Sequence, residues 1–235
     1  PDDITLKEHV AGQRPYAGWL YGGVGLVSDT GNRVDNLALQ LGVVGPASLG
    51  QDVQTTWHKW IGSPTPEGWE HQLKTEPGLV LMYERKWRSL YDLPIPGFAA
   101  DLTPSAGAVI GNIYTYGALG ATARIGFDLP KDYGPPRIRP SLPGSDYFVV
   151  EKRLGWYLFI GVEARAIGRN IFLDGNTFSS SHSVDKKPLV GDLQFGAAMS
   201  YGRYRLSYTQ IIRANEYNGQ GGPDSFGSIN LSVAF

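Results

Sequence analysis

Apolar and polar residues alternate along much of this chain. Between Val34 and Gly45, Leu37, Leu39, Leu41 and Val43 fall on one side, and Asn36, Ala38, Gln40 and Gly42 on the other. The same period recurs in 118–127, where Leu119, Ala121, Ala123, Ile125 and Phe127 oppose Gly120, Thr122, Arg124 and Gly126. It recurs in 156–168 around Leu158, Ile160 and Val162, and in 191–201 around Leu193, Phe195, Ala197 and Met199. A repeat of two is that of a β-strand, whose side chains point alternately to opposite faces. With 17–28, 77–88, 98–111, 203–213 and 225–235, the pattern predicts about nine strands.

Alternation alone fits two architectures. A soluble sandwich packs its apolar faces together and wets its polar ones. A membrane barrel turns the apolar faces to lipid and encloses the polar ones. The polar faces here carry Glu84, Arg124, Glu163, Arg165, Asp192 and Gln194. Three features favour the barrel. The strands run to about ten residues, the length of a membrane strand. Aromatic residues gather at their ends (Trp19, Tyr21, Trp87, Tyr91, Tyr114, Tyr116, Trp156, Tyr157, Tyr201, Tyr204), as interfacial girdles do. The last strand alternates Ile229, Leu231 and Val233 and ends on Phe235, which resembles the C-terminal signal of outer-membrane barrels. Gly31-Asn32 and Gly202 suit tight turns. The connections near 46–76, 128–154, 169–188 and 214–224 are long, and the barrel pattern predicts long loops on one rim and short turns on the other. The Pro- and Gly-rich stretch 130–146 is expected to be irregular.

Composition narrows the picture further. The chain has 235 residues, a formal net charge of -1 and no cysteine. That leaves no basic footprint for nucleic acid and no disulfide or thiolate metal site. No run of about 18 apolar residues is present, which excludes a helical span but says nothing against strands. One domain is expected over 1–235: an all-β, antiparallel transmembrane β-barrel of outer-membrane type with a short helix in a long rim loop at 46–76.

That helix carries the candidate chemistry. From Gly50 to Gly62, Val53, Trp57 and Trp60 or Ile61 recur at helical spacing, and Gln51, Gln54 and His58 fall on a neighbouring face. An imidazole is the side chain best suited to proton transfer near neutral pH, so His58 is a candidate general base. A single loop histidine is also an ordinary surface residue, which is the reading given to His9, His71 and His182. Trp57 and Trp60 suit a helix lying against lipid head groups. The two glutamines serve equally as braces or as ligand contacts. No G-x-S-x-G or H-E-x-x-H motif is present, so a serine elbow and a zincin site are not indicated.

Several longer motifs carry a resemblance. Arg14-Pro15-Tyr16-Ala17-Gly18 precedes the first strand. Gly45-Pro46, then Gly50-Gln51-x-Val53-Gln54-x-x-x-His58-x-x-Ile61-Gly62 and Pro66-x-Gly68-Trp69-x-x-Gln72-Leu73 fill the helix loop. Arg169-Asn170-Ile171-Phe172-Leu173-Asp174-Gly175-Asn176 and Val184-Asp185-Lys186 follow later. Together they resemble the outer-membrane lipid A 3'-O-deacylase family over nearly the whole chain. The resemblance implies a twelve-stranded barrel in the bacterial outer membrane, with its site at the extracellular rim between the wall and a loop helix. It implies ester hydrolysis of the 3'-linked acyloxyacyl chain of lipid A (lipopolysaccharide), with a histidine activating water and Ca²⁺ polarising the ester carbonyl. By motif that histidine is His58. Gln51, Gln54 and Arg14 are the substrate-contact candidates, and Lys59 is a further basic group on position only. No nucleic acid or protein partner is implied.

The match departs from the family in two places. The family's first strand carries an Asn-Asp pair, and a hydroxyl residue follows a strand or two later; both are tied to the ion site. No counterpart exists here, so no metal ligand is identifiable in this chain, and the stretch given is expected to begin after the third strand. Single-chain bacterial barrels have even strand numbers, and an open edge in lipid leaves backbone groups unpaired. The stretch is therefore expected not to form a closed, active barrel alone. In addition, some members carry an acid six positions after the histidine, where this chain has Pro64, with Glu67 the nearest acid. Competing with the esterase are a non-catalytic barrel (pore or structural protein) on the same scaffold and a soluble β-sandwich or lipocalin-like carrier.

Overall fold

The computed structural model describes residues 3–8, 10–88, 91–95, 97–134 and 151–234, without the side chains of 91–94, 151 and 152. Ten strands form one antiparallel sheet: β1 (Trp19–Asp29), β2 (Arg33–Val44), β3 (Glu76–Trp87), β4 (Tyr91–Ile95), β5 (Phe98–Gly111), β6 (Tyr114–Phe127), β7 (Glu151–Asn170), β8 (Leu189–Gly202), β9 (Tyr204–Arg213) and β10 (Asp224–Val233). Hydrogen-bonded neighbours follow chain order from β1 to β10, except that β4 pairs only with β5. Strand β3 pairs with Ser105–Gly111 of β5 and β4 with Phe98–Leu102, so the two share one edge of β5. All nine expected strands are present. Strand β4 is the addition; at 5 residues it is too short to show a period. Strands β1 and β10 are the sheet's edges, and no ladder joins them among the described residues.

Burial runs opposite to that of a soluble protein. Apolar side chains face out: Val24 is 70% exposed, Leu119 68% and Ile229 76%. Polar ones face in: Arg124 is 3% exposed, Arg205 2% and Gln40 1%. The sheet therefore curls around its polar face, and its outer surface is an apolar band. This is the outer-membrane barrel arrangement, in which lipid solvates what a water-soluble fold would bury. No described helix is long and apolar enough to cross a membrane; the crossing is made by strands.

Two ionic networks fill the interior. Arg124 holds Asp101 and Asp132, and Asp132 also accepts from the Tyr157 hydroxyl at 3.0 Å and lies 3.4 Å from Arg205. Asp192 holds Arg165 and Arg213, both at 2.9 Å. Charges buried inside a barrel are tolerated because each is paired and hydrogen-bonded.

The rims depart from the expectation. The end bearing 3–18, 45–75, 171–188 and 214–223 (the helix rim) holds three long connections but also the two-residue β5–β6 turn at Asn112-Ile113. The opposite end (the turn rim) has the tight turns at 30–32 and 202–203, yet the long β6–β7 connection is there too. Its first part, 129–134, folds inward, since Asp132 and Tyr133 are buried. Residues 135–150 of that irregular stretch, His9 and Phe235 lie outside the described residues. Of the supposed girdle, Tyr157 is fully buried in the interior and Tyr114 lines an interior cavity, while Trp156, Tyr201 and Tyr204 are exposed on the outer face. Neighbours in a strand point to opposite faces, so Trp156 and Tyr157 cannot both reach lipid.

Candidate functional site

The seat of the rim helix is assembled from three distant pieces of chain. Gly45, at φ +88°, turns the backbone out of β2; a Cβ there would lie 2.6 Å from the Lys74 carbonyl carbon. After the 3-10 turn Pro46–Ser48 comes α1, Gly50–Ile61, which ends on Gly62 in the left-handed conformation at φ +67°. The Gly62 and Ser63 amides close that end on the His58 carbonyl. This is a common helix stop, and it needs glycine because a side chain disfavours positive φ.

The start of α1 is seated by close backbone contact. A Cβ on Gly50 would lie 2.9 Å from Gly18 Cα, and one on Gly18 would lie 2.1 Å from Ser48 Oγ. Beneath Gly50 lies Trp69, buried and 5.1 Å from the Tyr16 ring. The Leu73 amide donates to the Tyr16 carbonyl at 2.9 Å, and the Tyr16 hydroxyl to the Ile4 carbonyl at 3.1 Å. Burial, with the charges of Asp3 and Glu67 adding to it, holds the Tyr16 phenol above its ordinary range, so it remains a donor. Leu73 then enters the apolar cluster of Val44, Val80, Val109, Ile113 and Ile171, which ties the loop to the wall.

Helix α1 presents two faces. Val53, Trp57, Trp60 and Ile61 are all exposed, with the two indoles 6.4 Å apart. Gln54, Thr55 and His58 are half-buried on the other face, and Gln51 is exposed. Gln54 Oε1 is shielded from solvent and forms no hydrogen bond among the described residues. His58 Nδ1 lies 2.6 Å from the Pro64 carbonyl oxygen. A carbonyl only accepts, so Nδ1 carries the ring proton and Nε2 keeps its lone pair. The ring is therefore held in the tautomer a general base requires, by the backbone carbonyl of Pro64.

Arg14 is placed elsewhere. It pairs with Glu216 at 2.8 Å, lies 3.7 Å from Asp224 and sits 5.8 Å above the Tyr217 ring. It lines an interior cavity of about 150 Å³ with Gln40, Tyr114, Asn170, Arg213 and Glu216, which His58, Gln51 and Gln54 do not line. The helix thus gathers the histidine and the glutamines, and Arg14 belongs to the lumen. Lys59 is exposed on α1.

Two contributors were not expected from the residues. The Pro64 carbonyl is one; a backbone acceptor leaves no mark on residue type. The other is Glu76, buried at the start of β3, which accepts from the amides of Thr177 and Phe178 at 2.9 and 3.1 Å and from Asn176 Nδ2 at 3.0 Å. Asn176 also brackets Lys74, donating to its carbonyl and accepting from its amide, each at 2.8 Å. Arg169 donates to the Asn112 and Gly175 carbonyls at 2.9 and 3.0 Å. The motif 169–176, with the short helix α2 (Ile171–Asp174) that Asn170 caps, thus clamps the far end of the loop that carries α1. Its density of Asn, Asp and Gly was the available signal. Among the described residues, no group of three or more His, Asp or Glu side chains is placed to hold a metal ion.

Comparison with known proteins agrees with this architecture. A family model described as outer membrane protein LpxR matches residues 1–235. Among solved structures, LpxR from Salmonella typhimurium superposes with a TM-score of 0.82 at 24% identity, over 99% of this chain and 78% of that one. At that identity the likeness is one of fold. No curated protein matches the chain.

Proposed function

The chain belongs to the family of outer membrane protein LpxR, and from that membership we propose that it is a lipid A 3'-O-deacylase-like esterase of the bacterial outer membrane. Its substrate is the 3'-linked acyloxyacyl ester of lipid A, met at the extracellular rim. The observation that carries the reading is the 2.6 Å contact of His58 Nδ1 with the Pro64 carbonyl, which leaves Nε2 as a base on a helix whose opposite face is apolar and aromatic.

The chemistry follows from that tautomer. His58 Nε2 takes a proton from water as the oxygen adds to the ester carbonyl carbon. The tetrahedral intermediate collapses, breaking the bond to the sugar oxygen. The imidazolium returns its proton to that leaving oxygen, so the products are a free acyloxyacyl acid and a sugar hydroxyl. Gln54, on the same helix face, is the substrate contact this geometry favours; Gln51 is its exposed neighbour. Arg14 acts through its pair with Glu216 beside the interior cavity and not as a direct contact.

Family resemblance adds Ca²⁺ as the group that would supply positive charge to the oxyanion. Among the described residues no three His, Asp or Glu side chains are grouped to hold it, so no step of this chain's chemistry is derived through it. A Ca²⁺ requirement predicts that excess chelator abolishes hydrolysis by the complete protein. Undiminished turnover in chelator would remove the ion from the mechanism.

Two features count against the pore. Segment 129–134 folds into the turn-rim end of the lumen, and its Asp132 joins Arg124 of β6 to Arg205 of β9 across that end. The deciding test is mass spectrometry of lipid A from cells expressing the complete protein or its His58→Ala variant. Loss of one acyloxyacyl mass with the parent alone is the expected result. The same loss with the variant would discard His58 as the base, and no loss with either folded protein would favour the non-catalytic barrel.

A further inference from the structure

The outer face of the barrel is apolar along most of β2 and β3, with one exception close to the turn rim. The cross-strand pairs on that face are Leu41 with Leu79, Leu39 with Leu81, Leu37 with Tyr83, Asp35 with Arg85 and Arg33 with Trp87. Five residues of this ladder, Arg33, Asp35, Tyr83, Arg85 and Trp87, form a polar and aromatic cluster facing lipid. Asp35 accepts from Arg85 Nε at 2.7 Å and from the Tyr83 hydroxyl at 2.6 Å, and lies 2.9 Å from Arg33 Nε. The Arg85 guanidinium stands 6.0 Å from the centres of the Tyr83 and Trp87 rings.

A charged cluster on a lipid-facing wall calls for a physical reason, because cations there are tolerated only near the head groups. Arg33 begins β2 and Trp87 ends β3, so the cluster lies at that level. Two guanidiniums against one carboxylate leave one positive charge. Asp35 accepts from Arg85 Nε and lies beside Arg33 Nε, which forms no hydrogen bond among the described residues. The flanking outward residues are small: Ser28 of β1 lies opposite Asp35, and Ala106 of β5 opposite Arg85. They leave both arginines approachable from either side. Toward the membrane centre, the leucine ladder offers an apolar track for an acyl chain.

We propose that Arg33 and Arg85, braced by Asp35, form a binding site for the phosphate head group of an anionic glycerophospholipid. A phosphodiester carries the one negative charge the cluster lacks, and its oxygens match the forked donors of arginine. Tyr83 and Trp87 suit the interfacial depth of the glycerol backbone. Outer-membrane barrels keep tight turns on the periplasmic side, which puts this rim in the glycerophospholipid leaflet. The inference is independent of ester hydrolysis, and its test does not read hydrolysis.

The complete protein, purified in detergent, would be given phosphatidylglycerol, phosphatidylcholine or lipid A, and the retained lipid counted by native mass spectrometry. Phosphatidylglycerol is expected to be retained over phosphatidylcholine, by about fivefold for each arginine engaged. The Arg33→Gln/Arg85→Gln pair should lose that preference while still showing the heat-modifiable gel migration of a folded barrel. The Arg33→Lys/Arg85→Lys pair, which keeps both charges, should regain most of it. If the glutamine pair does not fold, Arg33→Gln alone carries the test, with about a fivefold loss expected. Equal retention of phosphatidylglycerol and phosphatidylcholine, an unchanged preference in the folded glutamine variants, or displacement of phosphatidylglycerol by lipid A would each overturn the proposal.

Discussion

Position 64 shows how far residue type can be read. A proline six positions after His58 looks like a lost partner, because its side chain has no acceptor. Its carbonyl nonetheless lies 2.6 Å from Nδ1, and a carbonyl orients an imidazole as a carboxylate would, without the charge. The glycines of the rim motifs have an equally specific reason. Gly18 and Gly50 are in the chain because their backbones touch, and a methyl on Gly18 would meet Ser48 Oγ at 2.1 Å. Gly18→Ala is therefore expected to push the start of α1 off its seat, at a local cost of about 1–3 kcal/mol. Hydrolysis should fall by about tenfold or more, because the base is misplaced relative to the ester. Heat-modifiable migration should remain, since the strands are untouched. Normal turnover in this variant would show that the seat of α1 does not matter to the site.

At the scale of elements, periods of two and of three to four read well, and short elements did not. Helix α1 appears where Val53, Trp57 and Trp60 predict it, and its indoles are 55% and 77% exposed. Such a face is satisfied by the interfacial zone of a bilayer. In vesicles with brominated phospholipids, replacing both Trp57 and Trp60 by serine should reduce tryptophan quenching by more than their share of the 6 tryptophans. Trp69 is buried beneath α1 and should contribute little. Unchanged quenching would place α1 in water and remove the lipid contact. Glu76 belongs to this scale too, because it joins two connections. Glu76→Gln turns one acceptor into a donor facing the Thr177 and Phe178 amides, and should lower thermal stability by about 1–3 kcal/mol. A melting temperature equal to the parent's would mean that water replaces those bonds without loss.

For the whole molecule, the decisive feature is the inversion of polarity, and the interior networks decide its rigidity. Asp132 is fully buried and serves Arg124, Arg205 and Tyr157 together, so removing it leaves Arg124 with Asp101 as its one carboxylate and takes away the carboxylate beside Arg205. Asp132→Ala is expected to cost about 3–5 kcal/mol, seen as a lower unfolding temperature in detergent. Asp132→Asn, which keeps the shape but not the charge, should fall between the two. If alanine melts like the parent, segment 129–134 is not latched by this aspartate.

Nine of the ten strands, their alternating faces, the barrel class and the helix that bears His58 were legible in the residues alone. These follow from local periodicity, and a strand's period of two survives any tertiary arrangement. The family motifs likewise marked the three segments that meet at the helix rim. Which pieces meet depends on the fold in three dimensions. Pro64 serves His58 through its backbone, Arg14 turns to Glu216 and the lumen, and Asp132 reaches the interior from a connection that reads as an ordinary loop. Those contacts join residues distant in sequence or use backbone atoms, and neither leaves a periodic trace in the chain. The pairing of Asp35 with Arg85 is of the same kind: register, set by the ladder of β2 on β3, turned two unremarkable charges into neighbours.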